Sequence, residues 1–166
     1  MNKNIVISLF DYTGNIVKPW ADAGYNCICV DLQHPNTSSD GRIAKVRADV
    51  LHWMPKKPDQ VAMLFAFPPC TDVAVSGARW FKDKGLGALI NTLNLFKRSV
   101  DMALLLGCPY MIDFVMPETQ PDLKLGKPDD RIHKASPGPE RANFRSATPR
   151  GFAEAVFHAN KEYSCQ

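Results

Sequence analysis

Val61-Ala62-Met63-Leu64-Phe65-Ala66-Phe67-Pro68-Pro69-Cys70-Thr71 is the stretch on which the fold turns. An unbroken apolar run of strand length has the pattern of a strand buried on both faces, as in a parallel sheet. Pro68 and Pro69 carry no N–H and fix φ, so the strand has to stop there. Cys70 is thereby set in a loop at the carboxyl end of a strand, where open α/β sheets keep their ligand crevice. A thiol in that place is either a nucleophile or a half-buried structural cysteine of the kind interiors commonly hold.

Upstream, Lys56-Lys57-Pro58-Asp59 makes the turn into that strand, and the elements before it alternate. Ile5 to Phe10 is apolar and β-branched, a first buried strand, and Asp11-Tyr12-Thr13-Gly14-Asn15 is a tight turn. Ile16, Val17, Trp20 and Ala23 then recur at helical spacing, with Pro19 tolerated in the first turn and Gly24 as the stop. Tyr25 to Val30 is a second strand, ending at Asp31. The order strand, glycine turn, helix, strand, acidic residue is that of a βαβ nucleotide-binding unit. Asp31 falls about 20 residues past the turn, where a carboxylate meets a ribose hydroxyl. Pro35 to Gly41 is polar and turn-rich, hence expected as a surface loop. Ile43 to Val50 predicts a short third strand with Asp49 at its end, and locally Asp49 has the look of a cap for the turn at Leu51-His52-Trp53.

Downstream, Thr71 to Phe81 mixes small residues with two aromatics, and loops of that length are often lids or binding loops. Arg79, beside Trp80 and Phe81, suits a phosphate with a stacked base, or the aromatics simply pin the loop to the core. Leu86, Leu89, Ile90, Leu93, Phe96, Val100, Ala103 and Leu104 form the clearest helical stripe, ended by Gly107. Tyr110 to Val115 is the next strand, with Asp113 near its carboxyl end. A carboxylate among apolar residues is costly without a partner or a task. From Met116 to Pro149 prolines and glycines argue for extended loop, and Lys124, Lys127, Arg131, Lys134, Arg141 and Arg145 make it the best candidate for a phosphate-facing surface. Thr148-Pro149 predicts a helix start, with Gly151 to Tyr163 burying Phe152, Ala155, Val156 and Ala159.

At 166 residues the chain is expected to be one domain, residues 1–166, with a single sizeable core. A net charge of +3 permits contact with nucleic acid without arguing for it. Five cysteines, odd in number and mostly in apolar segments, suggest reduced thiols in a cytoplasm. No signal-peptide layout or membrane-spanning apolar run is present, and Cys27 and Cys29 have no histidine at zinc-ligand spacing, so no metal is expected.

Phe10-Asp11-Tyr12-Thr13-Gly14, Asp31, Asp49, Phe67-Pro68-Pro69-Cys70 and Asp113, in that order, resemble the cytosine-C5 DNA methyltransferase family, especially its short, phage-borne members. Phe65 to Thr71 and Ser76 to Phe81 are the most specific part, and Arg131 to Arg141 with Arg145 to Ala153 resemble the C-terminal segment of those members. The resemblance implies a Rossmann-like, mostly parallel sheet with helices on both faces, binding S-adenosylmethionine, with a truncated C-terminal part and no separate target-recognition domain. By that analogy Phe10, Asp11, Gly14 and Pro68 line the cofactor, Asp31 takes the ribose hydroxyls and Asp49 accepts from the adenine amino group. Cys70 is the nucleophile on cytosine C6 and Asp113 assists at N3; the family's arginine-rich motif falls to Arg131, Arg141 or Arg145, and Arg79 and Arg145 are the residues expected to bind the substrate. The family has a glutamate followed by asparagine where this chain has Asp113-Phe114, one methylene shorter. Two other readings keep the scaffold: a binding module for cofactor, DNA or a host protein without catalysis, and thiol chemistry on a nucleotide. A symmetric dimer would supply surface that so short a chain lacks, though no segment of the sequence demands one.

Overall fold

The computed structural model describes residues 3–70, 72, 81–113 and 147–161, the side chains of 81 and 82 excepted. Six strands form one sheet in the order β3-β4-β2-β1-β5-β6. They are β1 (Ile5–Leu9), β2 (Asn26–Val30), β3 (Ser38–Asp40), β4 (Ile43–Val46), β5 (Val61–Ala66) and β6 (Tyr110–Ile112), with helices α1 (Lys18–Asp22), α2 (Phe81–Leu106) and α3 (Arg150–Asn160). All pairings are parallel except β3 with β4. The chain is therefore α/β with a mostly parallel sheet.

β1 and β5 lie at the centre and are buried along their whole lengths, as strands covered on both faces must be. Alternation sends Ile5, Ile7, Leu9, Leu64 and Ala66 to one face, where Met102, Ala103 and Leu106 of α2 meet them. Val6, Cys27, Cys29, Met63 and Phe65 go to the other face, under Trp20 of α1 and Ala153 of α3. Trp20 anchors that layer through edge-on contacts with Tyr25, Phe65 and Phe157.

Several sequence expectations change in detail. Pro35 to Gly41 is more than a loop, because Ser38–Asp40 pairs with β4 as a fully exposed edge strand. The third expected strand stops at Val46; residues 47–49 leave the sheet toward the Asp49 turn. The stripe expected on α2 is split: its Ala103 is buried against the sheet and Leu89, Phe96 and Val100 are half-buried, but Leu86, Ile90, Leu93 and Leu104 are exposed, while Thr92, Ser99, Met102 and Leu106, outside the stripe, are buried. The two hydroxyls can be buried because each is bonded, Ser99 to the Leu95 carbonyl at 3.0 Å and Thr92 to Asp72 at 3.1 Å. In α3 the buried side is Ala153 with Val156 and Phe157, set by the Trp20 contact, and Phe152 is exposed. Pro149 is the residue before that helix and not its first. No described helix is long and apolar enough to cross a membrane.

Candidate functional site at the carboxyl edge of the sheet

The ladder hydrogen bonds bring the carboxyl ends of five strands to one level. Val46, Val30, Leu9, Ala66 and Ile112 are register partners in a continuous row. One residue further, Asp31 donates its N–H to Val46, Phe10 to Val30, Phe67 to Leu9 and Asp113 to Ala66, at 2.8–3.1 Å. Asp31, Phe10, Phe67 and Asp113 thus leave the sheet side by side. The chain runs outward from β1 through β2 to β4, then returns to the far side of β1 with β5 and β6. The strand order reverses between β1 and β5, and such a switch point opens a crevice above the carboxyl ends. The β1 turn and the Phe67–Cys70 segment flank it.

The turn after β1 is held by its own carboxylate. Asp11 is buried and accepts from the Ser8 hydroxyl at 2.8 Å, the Thr13 hydroxyl at 3.1 Å and the Gly14 N–H at 2.7 Å. The Cys29 thiol also points at it, at 4.0 Å. Asp11 therefore shapes the loop from within and has little left to offer a ligand. Gly14 has φ +72°, and a Cβ there would stand 3.3 Å from the Cys29 sulfur. Phe10 has φ +56°, a left-handed conformation that costs a bulky residue energy and tends to persist where function requires it. That twist turns Phe10 onto the α2 face of the core.

Asp31 caps the turn after β2, accepting the Gln33 N–H at 2.7 Å through one oxygen. Its other oxygen has no hydrogen-bond partner among the described residues. Burial pushes its pKa up, against the pull of that hydrogen bond and of His34. His34 is buried, stacks on Tyr12 at 5.6 Å, and has no partner for either ring nitrogen among the described residues. Burial pushes its pKa down, opposed chiefly by Asp31. Lys45 lies over the Tyr12 ring at 5.9 Å. Sequence patterning does not single out Tyr12, His34 or Lys45; the one available signal is that His34 comes three residues after Asp31.

Asp49 is half-buried and caps the next turn, with one carboxylate oxygen accepting from Leu51 N–H at 2.9 Å and its carbonyl from His52 and Trp53. Arg98 of α2 clamps this turn by donating to the carbonyls of Val50 at 3.2 Å and Trp53 at 2.9 Å. That tie spans the chain and carries no sequence signature.

Pro68 is buried, Pro69 exposed and Cys70 half-buried. Cys27, Cys29 and Cys108 are interior thiols whose pKa values burial raises, that of Cys27 to about 12. Cys70 stands apart from them in exposure. Asp72 fastens the chain after it to α2, bonding Lys84 at 2.5 Å and Thr92 at 3.1 Å. Asp113 is half-buried, and burial alone pushes its pKa up from the ordinary carboxylate value. A carboxyl group so placed holds its proton to a higher pH than an exposed one does. Arg79 and Arg145 lie outside the described residues. A cavity of about 510 Å³ between α1 and α3 touches this region only through Asn15. The described residues hold no cluster of three metal-ligating side chains.

Compared with protein-family models, with curated proteins and with solved structures, the chain matches none.

Proposed function

We propose that the chain is a minimal, Rossmann-like S-adenosylmethionine-dependent methyltransferase that acts on C5 of cytosine in DNA. The observation that carries this reading is the common row at the sheet edge, where Phe10, Asp31, Phe67 and Asp113 depart from adjacent strands around one switch point. Such a crevice is where open α/β sheets take nucleotide-type ligands.

The residues suit the nucleoside part of the cofactor. Asp31 keeps one oxygen for hydroxyl groups, and the orphaned nitrogens of His34 beside it are buried polar atoms that want partners. The second oxygen of Asp49, which lies 4.0 Å from Nε2 of the exposed His52, is offered to an amino group, and Phe10, Gly14 and Pro68 supply walls. Asp11 serves by shaping the Gly14 turn. When bound, S-adenosylmethionine supplies an electrophilic methyl group on a sulfonium sulfur.

Cytosine C5 is a poor nucleophile until something adds to C6. The Cys70 thiolate forms that S–C6 bond, and the ring electrons shift toward C5. Asp113 assists by holding a proton at N3, a task that its raised pKa favours. Once C5 carries the methyl group, loss of the C5 proton returns the electrons and breaks the S–C6 bond, releasing Cys70. Thiols are only a few per cent ionised at neutral pH, so the loop has to supply a base or a cation as well. A base within a duplex has to be flipped out first.

The test is incubation with methyl-labelled S-adenosylmethionine and cytosine-containing DNA, then nucleoside analysis. The expected product is 5-methylcytosine with the wild-type chain and none with Cys70→Ala. Full activity in Cys70→Ala sinks the covalent route. Cofactor binding with no product on any DNA points instead to a binding module, and neither binding nor product removes the reading altogether.

A further inference from the structure

α2 has two apolar faces, and only one of them meets the sheet. Gly85, with φ +73° and ψ 174°, interrupts the helix, so the regular part starts at Leu86. From there Leu86, Ile90, Leu93, Lys97, Val100 and Leu104 succeed one another by four and three residues in strict alternation. That is the spacing of the d and a positions of a heptad, sustained over about three heptads and broken by one lysine. Leu86, Ile90, Leu93 and Leu104 are 70, 47, 45 and 67% exposed. Ser99, Met102, Ala103 and Leu106, which are buried, lie elsewhere around the helix. A helix laid on a sheet needs one apolar stripe; a second one at a period of 3.5 residues is a seam for another helix.

We propose that a second copy of this chain lays its own α2 antiparallel along this seam, forming a two-fold dimer. A heptad seam fits a helix of the same spacing, and a two-fold axis presents the same stripe twice. The orientation is set by Lys97. In a parallel pair the two Lys97 ammonium groups would oppose each other in the centre of the seam. In the antiparallel pair that aligns Leu86 with Leu104 of the second copy, Lys97 faces Leu93 and keeps its ion pair with Asp101 at 2.5 Å. Antiparallel helix dipoles also attract. The helix from 86 to 106 is about 32 Å long. One helix face of that length is at the small end of stable interfaces, which bury about 800 Å² per partner, so the dimer is reversible and concentration-dependent.

The experiment is sedimentation velocity on the full chain across about 1 to 100 μM, the range where a small interface dissociates. The mass should double with concentration. Ile90→Glu, with an unchanged far-UV circular dichroism spectrum, should raise the dissociation constant at least about 10-fold. Lys97→Leu, which takes the charge out of the seam, should lower it by about 10-fold. The double variant Leu86→Cys with Leu104→Cys should cross-link between copies under oxidation, and either single variant should not. A monomer at every concentration for both the wild type and Lys97→Leu overturns the proposal, as does a dimer indifferent to both changes. Unfolding of Ile90→Glu accompanied by a monomeric Lys97→Leu variant means that the stripe serves the fold of the single chain, and overturns it too.

Discussion

The backbone N–H of Asp113 donates to the carbonyl of Ala66 at 2.9 Å, which seats this carboxylate beside the residue that leads into Phe67-Pro68-Pro69-Cys70. β5 and β6 carry the two groups out of the sheet together, although they are far apart along the chain. Burial raises the pKa of Asp113. A carboxyl group whose folded pKa lies above its unfolded one contributes stability at low pH and loses it as pH rises through the folded value. Asp113→Asn should therefore raise the melting temperature at pH 7 and match the wild type near pH 3, where both side chains are neutral. Methyl transfer should fall by about 10²-fold or more in the same variant, the usual share of a positioned acid. Thermal melts at the two pH values and the labelled-methyl assay check the pair of outcomes.

Gly14 leaves little room for a side chain. Its φ of +72° strains any L-residue, and a Cβ would stand 3.3 Å from the Cys29 sulfur. Gly14→Ala should cost about 1–3 kcal/mol in urea unfolding. Asp11→Ala removes the acceptor for a buried hydroxyl and a buried N–H, and should cost a comparable or larger amount, about 2–4 kcal/mol. Both changes should weaken binding of S-adenosylmethionine in calorimetry, because the turn they disturb flanks the crevice.

His34 sets an acid limit to stability. Burial lowers its folded pKa below the ordinary histidine value of 6.5. Well above 6.5 the ring is neutral in both states; as pH falls toward and below that value, the unfolded chain takes up a proton that the folded one resists, and stability is lost. His34→Phe keeps an aromatic ring against Tyr12 and should flatten the fall in melting temperature between about pH 7.5 and 5. An unaltered slope in that variant would show that some other group sets it.

Exposure separates Cys70 from the interior thiols. Brief treatment of the native chain with iodoacetamide, in a Cys165→Ser background, should alkylate Cys70 and spare Cys27, Cys29 and Cys108. Peptide mass spectrometry reads the result, and addition of cofactor should slow the labelling if Cys70 faces the proposed crevice.

Arg98 ties α2 to the turn that carries Asp49 through the carbonyls of Val50 and Trp53. Arg98→Met keeps the apolar stem and drops both hydrogen bonds. The expected loss is about 1.5–3 kcal/mol, measured by denaturant unfolding.

Local chemistry alone determined where the central strand ends and which side chain stands beyond it. Proline has no N–H, so Pro68 and Pro69 had to close β5 and leave Cys70 past the sheet edge. The same holds for Asp31 after β2 and for the turn at Gly14, which depend on residues close together in sequence. Only the folded chain decided how the carboxylates are used. Asp11 turns inward because Ser8, Thr13 and Gly14 need an acceptor, and Asp49 caps a turn that Arg98 holds from another element. Periodicity identified α2 as a helix but did not separate the members of its stripe that meet the core, such as Ala103, from Leu86, Ile90, Leu93 and Leu104, which do not. A helix with two apolar sides can seat either one, and the bonds that Thr92 and Ser99 make allowed the more polar side to meet the core. Contacts between distant residues decide which face is seated, and that is why the burial of His34 and the exposure of Leu86, Ile90, Leu93 and Leu104 became visible only in three dimensions.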